Sequence, residues 1–225
     1  IFIKIYISYI CFILRNEKHP NSFLFMTVKQ KIINKSDNLF RTYGLRGVTM
    51  DNISSELGMS KKTIYKYFQD KESIATESIN FYFSGLLAEI DRLNRTCKNS
   101  IEYSIKLSRF FRSTINDINP LYVKDVKKYY PTLDNIINKY KSKIFFKGVS
   151  DNIIRGKKEG YIRDEVDEVI LSKLRIEEME IAFDQDVFPY QEYDFRKVQV
   201  QFFDHFMRGI LTQNGLEVYN KLFYE

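Results

Sequence analysis

The sequence predicts an all-α protein, and three observations carry that prediction. Only 4 Pro and 9 Gly occur among 225 residues, too few to punctuate the many short strands of an all-β fold. Apolar residues recur three and four apart in long stretches, the spacing that places them on one face of a helix. Ser, Thr, Asp or Asn stands just ahead of several of these stretches, where a side-chain oxygen can take a free N–H of the first turn. A hydrophobic content of 44% suffices for a buried core and excludes global disorder.

Residues 1–25 look foreign to the rest of the chain. Their apolar run is interrupted by Lys4 and stops at Arg15, short of the roughly 20 apolar residues that a membrane span needs. No small-residue cleavage site comes after it, as a secretory signal would require. The expectation is a non-native leader or disordered extension, with translation beginning at Met26. The alternative is an N-terminal membrane-surface anchor.

A first helix is expected from Val28 to Tyr43, with Ile32, Ser36, Leu39, Phe40 and Tyr43 on one stripe and Gly44 ending it. Thr49 caps a second helix, in which Ile53 and Leu57 share an apolar face, and Gly58 stops it. Ser60 caps a third, short helix. There Ile64 and Phe68 turn inward, while Lys61, Lys62, Tyr65 and Lys66 share the opposite face. Asp70 caps a fourth helix that continues to Arg95 without a flexible linker. Two helices joined by a Gly-containing turn, the second short and basic, describe a helix-turn-helix whose second helix enters a major groove.

These residues resemble a family. Ser60-Lys61-Lys62-Thr63-Ile64-Tyr65-Lys66-Tyr67-Phe68 followed by Asp70-Lys71-Glu72 is similar to the recognition segment of TetR/AcrR-type transcriptional regulators. Leu39-Phe40-Arg41-Thr42-Tyr43-Gly44 and Val48-Thr49-Met50-Asp51-Asn52-Ile53 match the family's first and second helices. The resemblance covers residues 28–81. Two departures stand out: Lys62 occupies a position where Gly or Pro is common, and Ser36-Asp37 replaces a small apolar pair in the first helix. The first bears on base preference and the second on packing of the first helix.

The remainder reads as helices throughout: 101–115, a helix opened by Asn119-Pro120, a long one from Pro131 to Lys158, one from about Glu165 to Phe183 capped by Asp164, and one from Phe195 to Thr212 capped by Asp194. A short tail helix comes after Asn214-Gly215. The expected domains are thus 26–72, a helix-turn-helix DNA-binding domain, and 73–225, a helical ligand-binding and dimerisation domain.

The charge distribution agrees with a polyanionic partner. The chain carries +6 overall, with pI near 9.1. Residues 27–75 hold nine Lys/Arg against five Asp/Glu, whereas 165–195 hold ten acids against two bases. The acidic segment is either kept away from DNA or simply a solvated helix face. Cys11 and Cys97 show no pairing motif, which fits a reducing, cytoplasmic setting.

No phosphate loop, dinucleotide fingerprint, C-x-x-C or nucleophile elbow occurs. His205 has no neighbour at ligand spacing, so no metal, cofactor or catalytic residue is expected and the chain does not read as an enzyme. The abundant aromatics (Phe81, Phe83, Phe110, Phe111, Tyr122, Tyr129, Tyr130, Phe145, Phe146, Phe202, Phe203 and Phe206) each read as core packing; pockets between helices are largely apolar and aromatic, so some could line a ligand cavity, but no ligand-binding residue is assigned.

The expected DNA-binding residues are Thr49, Ser60, Lys61, Lys62, Thr63, Tyr65, Lys66, Tyr67 and Lys71. Cations displace counterions, hydroxyls bond phosphate oxygens, and residues at the start of the third helix reach base edges. Lys71, at the mouth of the fourth helix, is expected on a phosphate. Tyr67 could equally pack inward. The resemblance implies a homodimer on a palindromic operator, its interface formed by the helices near 165–183 and 195–212. It also implies a small-molecule effector, with the fourth helix as the element that would respond. The rival classes are an all-α enzyme or ligand carrier and a helical interaction module.

Overall fold

The structure is a computed structural model that describes residues 26–115, 119–189 and 191–224. The expected status of residues 1–25 lies outside the described residues. The helices are α1 (Val28–Tyr43), α2 (Met50–Leu57), α3 (Lys61–Tyr65), α4 (Lys71–Thr96), α5 (Ser100–Ile115), α6 (Pro120–Tyr129), α7 (Pro131–Tyr140), α8 (Phe146–Lys158), α9 (Glu168–Ile181), α10 (Phe195–Ile210) and α11 (Gln213–Phe223). Among the described residues the β-pairing is an isolated bridge between Ile162 and Leu211. No described helix is long and apolar enough to cross a membrane.

The chain divides into two compact units. The first holds the described residues through Leu87 together with 119–138. Its core arises from the apolar stripes: Ile32, Leu39 and Phe40 of α1, Ile53 of α2, Ile64 of α3, and Phe68 and Ile74 are buried. Each such side chain contributes about 1.5–3 kcal/mol on burial. Leu57, expected on the same face, ends α2 and is only partly covered.

The Ser36-Asp37 pair enters this unit in two ways. Ser36 is fully buried, and among the described residues its Oγ has no hydrogen-bond partner. Asp37 instead accepts from Arg41 Nε at 2.7 Å, and the Arg41 guanidinium lies 5.2 Å from the Tyr82 ring centre. Burial pushes the Asp37 carboxyl upward, and Arg41 offsets part of that push.

This first unit extends beyond residue 72. Asn119, which caps α6, donates from Nδ2 to the Thr42 carbonyl at 2.9 Å. Asp125 of α6 accepts the Arg46 N–H at 2.8 Å, and Arg46 stacks 4.4 Å from the Tyr129 ring. These bonds hold the loop between α1 and α2, so α6 and the start of α7 pack with the head.

The second unit comprises 88–115 and 139–224. Ile101, Ile105, Ile153, Ile162, Phe203, Phe206 and Tyr219 are members of its core. Gly215 lets α11 start against the carbonyl of Tyr161, where a Cβ would collide with that oxygen. Two sequence expectations change here. The helix expected from Pro131 to Lys158 is interrupted by a π-helical turn at Lys141–Phe145. Such widened turns recur at functional sites. The helix expected from Glu165 with an Asp164 cap starts instead at Glu168, where Asp167 accepts from the N–H groups of Val169 and Ile170, both at 2.9 Å. The cause is tertiary: Arg163 N–H donates to Ile210 O and Thr212 N–H to Tyr161 O, which anchors residues 161–163, and a turn over 164–165, with Val166 N–H on Arg163 O, comes before the helix.

Candidate nucleic-acid interface

Thr49 opens α2 with a reciprocal cap. Its Oγ1 accepts the Asn52 N–H at 3.2 Å, and Asn52 Oδ1 accepts the Thr49 N–H at 2.8 Å. Gly58 ends α2 at φ 61°, ψ 28°, the left-handed conformation that only glycine adopts without steric cost. The Gly58 and Met59 N–H groups then take the Ser55 and Ser54 carbonyls at 3.1 and 3.0 Å. Ser60 caps α3 by accepting the Thr63 N–H at 3.1 Å, with the Ser60 and Thr63 hydroxyls 2.9 Å apart. The turn between the two helices is therefore fixed by its own backbone and by two caps.

This turn sets the faces of α3. Ile64 and Phe68 are buried, while Lys61, Lys62, Tyr65, Lys66 and Tyr67 are exposed. Tyr67, which could have packed inward, is 45% exposed, and Tyr65 is 51% exposed. The side chains of Lys62, Lys66, Tyr65 and Tyr67 have no ion-pair or hydrogen-bond partner among the described residues. Lys61 differs: its Nζ lies 2.6 Å from Asp51 Oδ1, which ties α3 to α2 and raises the lysine's pKa through that bond. The arrangement presents cations and phenolic hydroxyls on one open face, a set suited to phosphate oxygens and base edges.

Lys71 has a further role that its sequence position does not announce. Its Nζ donates to the carbonyls of Leu45 and Val48, each at 2.7 Å, and approaches the Arg46 carbonyl at 3.5 Å. Burial lowers its pKa. Any phosphate contact by this ammonium competes with these loop carbonyls.

Elsewhere, the second unit encloses a cavity of about 80 Å³. Its walls include Phe111, Phe145, Phe203 and Phe206, four of the aromatics that the sequence left undivided between core and ligand site. Ile144, Phe145, Gly148 and Val149 reach it from the widened turn and the start of α8. Two arginines that the sequence did not single out, Arg112 and Arg175, line it as well. Among the described residues no group of three His, Cys, Asp or Glu is arranged to hold a metal ion.

The geometry is that of a helix-turn-helix with an open basic second helix, in an otherwise helical chain. Residues 32–77 match the model for bacterial regulatory proteins of the tetR family. It is 30% identical over 119 residues to the biofilm operon icaADBC HTH-type negative transcriptional regulator IcaR of Staphylococcus aureus strain Newman. That match spans 52% of this chain and 60% of the relative. It is 33% identical over 98 residues to IcaR of Staphylococcus epidermidis, covering 43% of this chain and 50% of that protein. The chain thus spans only 50–60% of the length of these curated relatives.

The fold is similar to that of a transcriptional regulator from Saccharomonospora viridis in complex with choline, with TM-score 0.69 and 18% identity, over 82% of this chain and 98% of that one. It is also similar to the fatty acid degradation regulator FadR of Bacillus halodurans, with TM-score 0.65 and 15% identity, over 86% and 98% of the two chains.

Proposed function

We infer that the chain is a cytoplasmic, sequence-specific DNA-binding repressor that acts as a homodimer and answers to a small-molecule effector. The observation that carries this reading is the open face of α3, where the side chains of Lys62, Tyr65, Lys66 and Tyr67 stand exposed without ion-pair or hydrogen-bond partners among the described residues, on a helix capped by Ser60. Lysines on such a face neutralise phosphates, and the first residues of the helix reach base edges in the major groove. Thr49, Ser60 and Thr63 position the two helices and add hydroxyls at the backbone. Lys61 reaches DNA from its Asp51 tether, and Lys71 acts chiefly by holding the loop after α1. The repressor sense is supported by the relatives, which are negative regulators.

Dimerisation is supported by α9. Ile170, Leu174 and Ile181 recur at helical spacing along it and are 62%, 48% and 43% exposed, with Val169 beside them at 46%. A row of large apolar side chains left in water suits a self-complementary contact with a second copy. Two recognition helices would then meet successive turns of one face of the duplex, about 34–36 Å apart.

The test is an electrophoretic shift assay using duplex DNA from upstream of the gene that encodes this chain. The native protein is expected to shift it. Replacing Lys62, Tyr65 and Lys66 together by Ala should abolish the shift while leaving the far-ultraviolet circular dichroism unchanged. An unchanged shift in that variant refutes the assignment.

A further inference from the structure

The cavity of the second unit has a chemical bias that comes from its arginines. On α5, Ser104, Ser108 and Arg112 form one row at four-residue spacing, and Tyr103, Leu107 and Phe111 form the adjacent one; both rows line the cavity. Arg112 donates from Nη1 to Ser108 Oγ at 2.7 Å. Among the described residues no carboxylate pairs with it. Burial lowers its pKa, and the neighbouring charges of Arg109 and Arg175 lower it further.

Arg175 is 7% exposed, is paired to Glu178 at 3.2 Å, and lies 5.6 and 5.7 Å from the ring centres of Phe203 and Phe206. One guanidinium is thus held in place by a carboxylate and two rings, and a second stands beside it with a single neutral partner. The rest of the wall is mainly apolar and aromatic.

A cation in such a place is poorly solvated, and an incoming anion relieves it through charge-assisted, bidentate bonds. The apolar wall strengthens that attraction by excluding water. Tyr103 lies nine residues before Arg112, about 13 Å along the helix at 1.5 Å per residue, so a ligand with its charge at Arg112 has apolar surface ahead of it. The free interior of about 80 Å³ holds roughly half a dozen water-sized groups, so it suits a small ligand rather than a long lipid chain.

We propose that this cavity binds a small amphipathic carboxylate, with Arg112, aided by Arg175, taking the carboxylate and the aromatic wall taking the hydrocarbon. This names the chemical class of the effector inferred above and rests on that reading for its regulatory consequence, whereas binding itself does not.

The experiment is isothermal titration calorimetry of the full chain, without DNA, against octanoate, octan-1-ol and octylamine. Octanoate is expected to bind at least tenfold more tightly than the alcohol, and the amine not at all. Arg112→Gln keeps a donor for Ser108 and breaks no ion pair; it should lose at least tenfold in octanoate affinity and leave the alcohol unchanged. Equal binding of octanoate and octan-1-ol by the native protein overturns the proposal without recourse to any variant. So does unchanged octanoate affinity in Arg112→Gln. Because no DNA is present, a failure of the DNA-binding reading leaves this result interpretable. A parallel shift assay then reads whether octanoate releases DNA; release supports the effector role, and binding without release overturns that role.

Discussion

The ammonium of Lys71 sits 2.7 Å from the carbonyl oxygen of Leu45, inside the loop that joins the first two helices. With the Val48 carbonyl at the same distance, it closes the loop onto the start of α4. A lysine at the mouth of a helix reads from sequence as a phosphate ligand, yet here its charge is largely spent on backbone. Lys71→Met should therefore lower stability by about 1.5–3 kcal/mol, the range for hydrogen bonds to charged groups. It should also weaken DNA binding without changing the salt dependence. Lys66→Ala should leave stability intact and reduce the slope of log affinity against log salt by about 1. Thermal melting and salt-titrated fluorescence anisotropy separate the two; an equal drop in slope for both variants would show Lys71 on a phosphate.

Asp51 faces Lys61, one of the lysines proposed to contact DNA, at 2.6 Å. The pair is exposed, so it adds little to stability. Removing the acid frees a cation and deletes a local negative charge. Asp51→Asn should raise affinity for arbitrary duplexes severalfold at low salt, more than for the operator, and so narrow the ratio between them. Competition anisotropy against mixed-sequence DNA measures that ratio; a widened ratio contradicts the prediction.

Ser36 carries a buried hydroxyl that has no hydrogen-bond partner among the described residues. Deleting an unsatisfied polar group removes its desolvation cost and opens no large space. Ser36→Ala should be neutral to stabilising, by up to about 2 kcal/mol in urea unfolding. A loss above about 1 kcal/mol would mean that the hydroxyl is paired.

Glu159 caps α5 from a distance in sequence. Its Oε2 accepts the Ser100 N–H at 2.8 Å, and its Oε1 accepts from Arg155 Nε at 2.7 Å. Burial raises the carboxyl's pKa, but the Ser100 and Arg155 interactions outweigh burial and leave it below the usual range. A depressed carboxylate contributes stability above its unfolded pKa, about 4.3, and loses it as pH falls through the folded value. Glu159→Gln should cost about 1–3 kcal/mol at pH 7, and the gap to the native protein should close as pH drops below about 4. A gap independent of pH between 7 and 3 contradicts this account.

The sequence made the fold legible wherever a signal and its partner lie close together. Val28–Tyr43 is bounded by residues whose caps lie within a few positions, Asn119-Pro120 opens α6, and Asp194 opens α10. The open and buried faces of α3 come from periodicity alone. What escaped depends on distant partners. The segment before α9 is anchored by backbone bonds between Arg163 and Ile210 and between Tyr161 and Thr212, which no local cap reveals. The packing of α6 onto the head rests on Asp125 and Arg46, 79 residues apart. Nothing in the sequence singles out Arg112 and Arg175; three-dimensional packing places both on one cavity.

The most direct measurement of the central claim is a hydroxyl-radical and methylation footprint on a duplex selected from a random pool by the purified chain. The account predicts two protected half-sites in inverted orientation, with guanine N7 contacts in adjacent major grooves that vanish in the variant lacking Lys62, Tyr65 and Lys66. Selection that yields no consensus, or protection that persists in that variant, would contradict it.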